Sequence, residues 1–456
     1  MTQIEYVHAR ELFDSRGNPT VEVEICCAGS RCGRAIVPSG ASTGKFEAVE
    51  LRDQDADRFD GLGVSQAVEN VRREIAAALI GQDASNQSGI DAILCELDGT
   101  ENKSRLGANA ILGASLATAY AAAESQGQTP VERFAEIWSD YISSGFAEES
   151  EQTQRTNLLA RSMSLPLPMV NMISGGLHAG RNLDFQDFLI LPVGATSYRQ
   201  AFEWIVTIYR RLGQILNKTG HEGSLIGDEG GYGPKLSCNS EAVKYVVAAI
   251  EASGLNPGED VAIGLDVAST HFYDAETDTY HLNATGEEAL SSDDVIDMLE
   301  RWVDTYPIIS IEDGLAEDDW SGWKKLTERL GHRVQLIGDD LFVTNPKRLQ
   351  QGIESQTANS VLIKLNQIGT LTETLETLKM AINYGYWPVV SARSGETEDT
   401  TIADLVVATG AGQLKVGSVG RSERLAKYNQ LLRLEESLSD RAPYHGGGIF
   451  SSLRSR

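Results

Sequence analysis

The chain has 456 residues, and this length predicts two or three domains instead of a single hydrophobic core. Its apolar and charged contents, 41% and 23%, are those of an ordinary globular protein. The 65 acidic residues outnumber the 39 basic ones and give a net charge of −26, which repels nucleic acids and anionic membranes and argues against both as partners.

Three further features bear on where the protein works. No run of about 18 apolar residues is present, so we expect no membrane span. The first twenty residues are charged at several positions and lack the apolar centre of a signal peptide, so we expect a cytoplasmic protein. The cysteines are odd in number and form no C-x-x-C pair, which predicts reduced thiols without a special role; they are Cys26, Cys27, Cys32, Cys95 and Cys238.

Residues 1–140 are predicted to form a small α+β domain. Residues 19–26 alternate between apolar and polar side chains, which predicts a half-buried strand. Helical patterns extend from about 65 to 126, and the segment 108–123 is so rich in alanine and leucine that we expect a helix with a wide apolar face. Strands followed by a helical layer are typical of α+β domains. A polar stretch at 141–164 follows, which we interpret as an insertion or linker without a site.

Residues 165–456 are predicted to form a β/α barrel. Short apolar runs alternate with amphipathic helical stretches, an order that implies a parallel sheet. No glycine-rich dinucleotide fingerprint is present, which argues against an open doubly wound sheet and favours closure into a barrel. The predicted strands are 261–267, 308–311, 334–338, 360–365, 387–390 and 413–416.

Three of these predicted strands lead into a carboxylate, at Asp266, Glu312 and Asp339. Barrel enzymes place their catalytic groups at the C-terminal ends of strands, so we expect the three side chains to meet there. Converging carboxylates repel one another unless a cation lies between them, and magnesium is the hard, oxygen-binding ion that suits them. Taken singly, each acid is more often a helix cap or a surface group, and their matching positions are what favours a metal site.

Two lysines, Lys364 and Lys415, lie inside apolar strand patterns. A lysine in an apolar strand is costly unless its ammonium group reaches a polar barrel mouth. If the two lie near each other and near a metal, one of them can lose its proton and serve as a base. The alternative interpretation is that they mark the exposed edge strands of a sheet.

Three other segments are weaker signals. The turn 227–231, Gly-Asp-Glu-Gly-Gly, would push an acidic side chain into a cleft, but it is as often a plain turn. The loop 38–44 is rich in glycine and hydroxyl groups and would act as a lid that offers Ser42 to a metal or phosphate, although most such loops are only connections. His178 follows two glycines and a leucine, and a structural role is as plausible for it as a functional one.

Taken together, these segments resemble enolase over nearly the whole chain, from about residue 10 to residue 442. The resemblance implies a magnesium-dependent hydro-lyase with an N-terminal α+β domain and a barrel that carries most of the active site. It rests on long motifs in the same order, too many for chance: Asp-Ser-Arg-Gly-Asn-Pro-Thr at 14–20, Ser-Gly-Ala-Ser-Thr-Gly at 39–44, Gly-Asp-Glu-Gly-Gly at 227–231, Ser-Ile-Glu-Asp at 310–313, Gly-Asp-Asp-Leu at 338–341, Lys-Leu-Asn-Gln-Ile-Gly at 364–369 and Arg-Ser-Gly-Glu-Thr-Glu-Asp at 393–399.

The resemblance also implies a role for each matching residue. Asp266, Glu312 and Asp339 match the ligands of a first, tightly held magnesium, and Ser42 matches the lid residue that joins a second one. Lys364 matches the base that removes the proton beside the substrate carboxylate. Glu229 matches the acid that helps hydroxide leave, and His178 matches the lid-side histidine near the phosphate. Arg393 and Ser394 match the two phosphate-binding residues, and Lys415 matches the lysine that holds the carboxylate.

The substrate pocket departs from the family pattern at two positions. Ala392 stands where the family has a histidine that lines the pocket on the leaving-group side, so an imidazole is lost and space is opened. Asp187, which follows the pocket residue Gln186, stands where the family has a catalytic glutamate, so the carboxylate is one methylene shorter. Further differences near the site are at Leu177, Val267 and His271.

These observations leave three hypotheses open. The first is the enolase reaction of glycolysis, the reversible dehydration of 2-phospho-D-glycerate to phosphoenolpyruvate. The second is a paralogue of specialised metabolism that dehydrates a phosphonate or carboxyphosphonate analogue, which the space at Ala392 favours. The third is a non-catalytic binding scaffold, and the retention of the metal ligands argues against it. The resemblance also implies a homodimer, in which Glu22 and Arg433 match a pair that bridges the subunits; the alternative is that both are solvent-exposed charges.

Overall fold

A computed structural model of the chain describes residues 2–40, 44–143, 162–282 and 286–454. The segment predicted to be an insertion or linker, 141–164, lies outside the described residues except for its ends at 141–143 and 162–164. The predicted lid residue Ser42 also lies outside them.

The first part of the chain is a three-stranded antiparallel sheet covered by helices. Its strands, which neighbour one another in chain order, are β1 (Ile4–Phe13), β2 (Pro19–Cys27) and β3 (Arg31–Ile36). The helices are α1 (Ser65–Asn70), α2 (Ala76–Leu79), α3 (Gln87–Asp98), α4 (Ala108–Gln126) and α5 (Pro130–Ser143), with a π-helical turn at Val71–Ile75 between α1 and α2. Strands followed by a helical layer confirm the predicted α+β fold.

Helix α4 is the centre of this part, and it confirms the helix predicted at 108–123. It is buried at almost every position, because it packs on β2 and β3 on one side and touches the chain at Leu365–Ile368 on the other. The approach is so close that a Cβ on Gly33 would lie 2.2 Å from the backbone nitrogen of Ala121. This packing buries β2 along most of its length, more than the alternating pattern predicted.

The prediction of unpaired cysteines is wrong for two of the five. Cys26 and Cys32 form a disulfide that joins β2 to β3, with their Cα atoms 4.0 Å apart. The strand register places them directly opposite each other, and that closeness is not visible from their spacing in the sequence. Disulfides are typical of oxidising compartments, so the cysteines do not support a reducing environment, and the cytoplasmic location stays a prediction.

The second part of the chain is a closed barrel of eight strands, as the sequence predicted. Each of the six predicted strands overlaps one observed strand. The barrel strands are β4 (Leu167–Ser174), β5 (Asp187–Leu191), β6 (Ala262–Asp266), β10 (Ile308–Glu312), β11 (Gln335–Gly338), β12 (Ser360–Ile363), β13 (Trp387–Ser391) and β14 (Gln413–Gly417). Between β6 and β10 the chain forms a small separate sheet of β7 (Tyr273–Asp274), β8 (Thr279–Leu282) and β9 (Glu287–Leu290).

The prediction that all barrel strands are parallel is wrong at one strand. β5 runs antiparallel to both β4 and β6, whereas the other neighbouring strands of the barrel run parallel. The reason lies in the connection: the segment 175–186 contains only a short 3₁₀ turn, and a parallel return would need a longer crossover. As a result β5 begins, instead of ending, at the barrel mouth where β4 and β6 end.

Helices surround the barrel and connect its strands. None of the helices among the described residues combines the length and the apolar character that a bilayer crossing requires. They are α6 (Tyr198–Lys218), α7 (Asn239–Ala252), α8 (Ser292–Thr305), α9 (Trp320–Leu330), α10 (Pro346–Ser355), α11 (Leu365–Ile368), α12 (Leu371–Asn383), α13 (Thr401–Thr409), α14 (Ser422–Leu438) and α15 (Ser451–Arg454).

Apolar side chains of the strands, among them Leu189, Leu362 and Val389, form a buried cluster separate from the main core. The charged side chains of the barrel lie at its other end, at the C-termini of the parallel strands. This division leaves a polar mouth above an apolar floor, which is where barrel enzymes build their sites.

Candidate active site

Three carboxylates lie at the C-terminal ends of adjacent barrel strands. Asp266 and Glu312 are the last residues of β6 and β10, and Asp339 follows β11 directly. The register of the two parallel strands sets Glu312 beside Asp266. All three side chains are buried, with 3%, 2% and 9% of the surface of Asp266, Glu312 and Asp339 exposed. Barrel closure therefore brings together three acids that lie up to 73 positions apart in the sequence, from 266 to 339.

Both predicted lysines reach these acids. Lys415 Nζ lies 2.7 Å from Asp266 Oδ2 and 2.7 Å from Glu312 Oε2. Lys364, immediately after β12, places its Nζ 2.5 Å from Asp339 Oδ2. The alternative that the lysines mark edge strands does not hold, because β12 and β14 each lie between two neighbours in a closed barrel.

The ionisation of this cluster reflects its burial. Burial raises the pKa of Glu312 to about 8, and repulsion from Asp266 adds to this effect. The expectation that one lysine loses its proton was made for a lysine beside a metal ion, and it stays a prediction. Burial lowers the pKa of Lys364, but the combined attraction of the neighbouring carboxylates, chiefly Asp339 and then Glu312, outweighs it, and the result lies above the ordinary value.

A second group of side chains lies around the start of β5. His178, in the 3₁₀ turn Gly176–Ala179, places Nδ1 2.8 Å from Asp187 Oδ2 and Nε2 4.0 Å from Glu229 Oε1. The backbone N–H of Asp228 donates to the carbonyl of His178 at 3.0 Å, which ties the acidic turn to the histidine. Burial lowers the pKa of His178, but attraction to Asp187 and Glu229 raises it more, to about 9.

The carboxylate of Asp187 contacts three neighbouring side chains, one of which is His178. Its carboxylate accepts hydrogen bonds from Asn171 and from Ser174 Oγ, the latter at 3.1 Å, and none of its surface is exposed. Burial raises the pKa of Asp187 to about 6 although His178 is adjacent, so the aspartate is ionised at neutral pH. The shorter side chain thus serves to hold the histidine, and among the described residues we find no hydrogen bond between it and Glu229.

Gln186 lies between the two groups. Its Nε2 donates to Asp266 Oδ2 at 3.2 Å, which connects the start of β5 with the carboxylates of the parallel strands. Its buried Oε1 has no hydrogen-bond partner among the residues that the structure describes. A buried acceptor without a partner is costly, so this atom is available to a donor on a ligand.

The loop after β13 carries the three predicted residues 392–394. Arg393 is buried, and its Nη1 lies 2.8 Å from Glu47 Oε2 and 3.0 Å from Asn366 Oδ1. Ala392 and Ser394 are also buried, at 6% and 7% exposure. One polar cavity joins this loop to the groups described above, and it is lined by Glu47, His178, Gln186, Glu229, Asp266, Ala268, His271, Asp313, Asp339, Asp340, Lys364, Ser391, Ala392, Arg393, Ser394, Lys415 and Val416.

Three residues that shape the site were not predicted from the sequence. Asp313, with a φ of 43°, accepts the backbone N–H groups of Asp339 and Asp340 at 3.0 and 2.9 Å. Gln367 donates to Asp339 Oδ1 at 2.9 Å. Arg424, fully buried in α14, donates to the carbonyls of residues 393, 394 and 416. The first two belong to motifs that had been recognised, but no local pattern singles out Arg424.

The chemistry of the acidic residues fits magnesium. Carboxylate oxygens are hard donors, and those of Asp266, Glu312 and Asp339 are buried at one barrel mouth. The pKa of Glu312 is raised chiefly by burial and then by repulsion from Asp266. The predicted triad is not among the groups of the described residues whose possible ligand atoms all lie within 4.8 Å of one another. Those groups are His178 with Asp187 and Glu229, and Asp313 with Asp339 and Asp340. A magnesium ion shared by Asp266, Glu312 and Asp339 therefore stays a prediction.

Two family models match the chain, one for each part of the fold. The model described as "Enolase, N-terminal domain" matches residues 4–133. The model described as "Enolase, C-terminal TIM barrel domain" matches residues 162–452. Together they cover almost all of the chain, including the N-terminal sheet with most of its helices, the barrel and every candidate site residue.

Proposed function

The chain belongs to the enolase family, a family of lyases, and from this we propose that it is a magnesium-dependent hydro-lyase that interconverts 2-phospho-D-glycerate and phosphoenolpyruvate with water. The observation that carries the proposal is the pairing of Lys364 and Lys415 with three buried carboxylates at one barrel mouth, opposite the His178 and Glu229 group. A dehydration needs a base on one side of the substrate and an acid on the other, and this mouth offers both.

Lys364 is our candidate for the base. The proton to be removed lies on the carbon next to a carboxylate and is very weakly acidic, so its loss places a second negative charge on that carboxylate. When bound by Asp266, Glu312 and Asp339, magnesium supplies positive charge that stabilises this developing charge. Lys415 lines the same cavity and would hold the substrate carboxylate with its ammonium group.

The opposite side of the mouth would assist the departure of hydroxide. Glu229 is the candidate acid, and His178 with Asp187 would set its charge surroundings, since the imidazole Nε2 lies 4.0 Å from Glu229 Oε1. Because the pKa of His178 is raised to about 9, its imidazolium is present at neutral pH. Burial raises the pKa of Glu229, but the charges of His178 and Arg424 together with other nearby cations lower it overall. Glu229 would therefore act as an acid by passing on a proton received from the imidazolium.

The loop after β13 would bind the phosphate. Arg393 and Ser394 stand on the same cavity as the lysines, and Arg424 holds the loop by its carbonyls. These local cations resolve the apparent conflict between a net charge of −26 and an anionic substrate, because the field inside a buried mouth is set by the nearest charges.

The test is a turnover assay on purified protein with magnesium and 2-phospho-D-glycerate, in which the absorbance of the enol product is followed. We expect at least about ten turnovers per second for the wild type. Lys364→Ala should lose activity by about a thousandfold or more, as expected for a lost base. The matched control is Lys347→Ala, which removes an exposed lysine far from the cavity. Unchanged activity in Lys364→Ala would refute the assignment of the base.

A second candidate function is favoured by one observation at the cavity wall. Ala392 lines the cavity and is 6% exposed, so a small side chain occupies a position where the family has an imidazole. The freed space suits a phosphonate or carboxyphosphonate analogue of 2-phosphoglycerate. Negligible turnover of 2-phospho-D-glycerate together with measurable magnesium binding would favour this candidate, and increased turnover in Ala392→His would show that the pocket had drifted from the usual substrate. A non-catalytic scaffold would show neither turnover nor an effect of Lys364→Ala.

We also propose a homodimer. In the single chain Glu22 is 5% exposed and forms an ion pair with Arg10, and Arg433 is exposed on α14. The exposed arginine is available for a partner subunit, whereas Glu22 would have to share its carboxylate with Arg10. Sedimentation of the wild type and of Arg433→Ala tests this arrangement, and a monomeric wild type would rule it out.

A further inference from the structure

A side pocket adjoins the proposed active site at the antiparallel strand β5. It lies between the turn after β4 and the turn after β6, and its volume is about 70 Å³. The two share one wall residue, His271. The pocket is lined by Gly176, Leu177, Arg181, Leu183, Asp184, His271 and Phe272.

Two of these side chains are polar and free to meet a ligand. The guanidinium group of Arg181 is exposed and has no ion-pair or hydrogen-bond partner among the residues that the structure describes. The imidazole of His271, half-buried, likewise has no hydrogen-bond partner within the described part of the chain. The charge of Arg181 is therefore available to a ligand beside the active-site cavity.

The sign of the charge indicates the kind of group that the side pocket accepts. Arg181 is a permanent cation, and the imidazole of His271 provides a hydrogen-bond donor or acceptor. Asp184 is the acid on the wall, and its Oδ2 accepts a hydrogen bond from Asn239 Nδ2 at 3.2 Å, which offsets part of its negative charge. A guanidinium group binds a carboxylate or phosphonate through paired hydrogen bonds, so an anionic group fits best.

The position of the side pocket indicates where on the substrate this group is attached. Gly176 and Leu177 directly precede His178, whose Nε2 lies 4.0 Å from Glu229, the acid proposed to assist the leaving hydroxide. If Glu229 assists the leaving hydroxide as proposed, the side pocket would lie on the side of the cavity where the substrate carbon loses hydroxide.

We propose that the side pocket binds an additional anionic substituent on the carbon that loses hydroxide, with Arg181 and His271 as its contacts. This inference rests on the proposed hydro-lyase function, and it narrows the substrate class to 2-phosphoglycerate derivatives with a third acidic group. Ala392 would widen the cavity, while Arg181 and His271 would select the charge of the added group.

The test compares three ligands by calorimetric titration of the full-length protein in magnesium. They are 2-phospho-D-glycerate, 2-phosphotartrate, which carries a carboxylate on that carbon and is used as both diastereomers, and the analogue with a methyl group there. Wild type should bind one diastereomer of 2-phosphotartrate at least as tightly as 2-phospho-D-glycerate, and the methyl analogue more weakly. Arg181→Gln should weaken 2-phosphotartrate roughly tenfold, the loss expected for one charged hydrogen bond.

Controls separate this inference from the function on which it rests. Arg199→Gln removes an exposed arginine from α6, outside both cavities, and should leave all affinities unchanged. If 2-phospho-D-glycerate is bound and converted while both diastereomers of 2-phosphotartrate bind at least tenfold more weakly, the side pocket is refuted and the hydro-lyase function stands. The same conclusion follows if Arg181→Gln weakens all three ligands equally. Binding of 2-phosphotartrate that depends on Arg181 supports the inference even if 2-phospho-D-glycerate is not converted, and binding of no ligand refutes both.

Discussion

Replacement of Asp187 by asparagine tests the electrostatics of the proposed leaving-group side. The side chain keeps nearly the same shape and loses its charge, and its Oδ2 lies 2.8 Å from His178 Nδ1 in the wild type. Burial lowers the pKa of His178, and the charge of Asp187 is the largest influence that raises it to about 9. In Asp187→Asn, burial should prevail, and we expect the pKa of His178 to fall to 6.5 or below.

The size of the effect follows from these values. The ordinary pKa of histidine is 6.5 and that of His178 is about 9, and since each pKa unit corresponds to 1.36 kcal/mol the charged form is stabilised by about 3 kcal/mol. A group whose folded pKa is raised contributes stability that is complete below pH 6.5 and is lost as pH rises through about 9. Asp187→Asn should therefore cost more stability at pH 7 than at pH 10, by an amount on the order of 3 kcal/mol.

Two measurements check this prediction. Histidine side-chain resonances are followed by NMR from pH 5 to pH 10, with His178→Gln used to assign the signal, and urea unfolding is measured at pH 7 and pH 10. The resonances of His221 and His445, which lie away from the site, serve as controls and should titrate identically in both proteins. A wild-type His178 that titrates below pH 7, or one that still titrates above pH 8 in Asp187→Asn, would refute the reasoning.

Three further predictions concern stability. Arg424→Met leaves three carbonyls without their buried donor, so it should lower the free energy of unfolding, measured in urea, by about 3 kcal/mol or more. The control Arg199→Met should change this free energy little. Equal effects of the two variants would contradict the role of the buried arginine. Cys26→Ser removes a disulfide between residues 6 positions apart and should lower the free energy of unfolding by about 2 kcal/mol. The wild type in reductant should unfold like the variant. A wild type whose unfolding is unchanged by reductant would show that no disulfide forms. Magnesium at about 100 times its dissociation constant should raise the free energy of unfolding by about 2.7 kcal/mol. Potassium chloride at equal ionic strength is the control and should not raise it. The same gain in Asp266→Asn would mean that the ion binds elsewhere.

Local patterns in the sequence were sufficient for the position of most secondary structure. Helix α4 was predicted from alanine and leucine content, and each of the six apolar runs from 261 onward became a barrel strand. These predictions succeed because helix and strand periodicity are properties of a short window, and a run of apolar residues must be buried wherever it lies.

The arrangement of the strand-end acids was predictable from the sequence only in part. The sequence placed Asp266, Glu312 and Asp339 at strand ends, and the rule that barrels gather such ends predicted that they meet. Which lysine pairs with which acid was not predictable: Lys415 contacts two of the acids across 149 and 103 positions of sequence. Those distances are set by closure of the barrel and by strand register.

The antiparallel direction of β5, the cross-strand disulfide and the His178–Asp187 pair came from tertiary structure alone. Strand direction depends on the length and path of a connection, and a pairing depends on which residue faces which in the register. The side pocket has the same origin, since it lies between turns that follow β4 and β6 and no stretch of sequence contains both. Periodicity specifies how the backbone runs locally, whereas charges act through space, and only the packed chain determines which charges become neighbours.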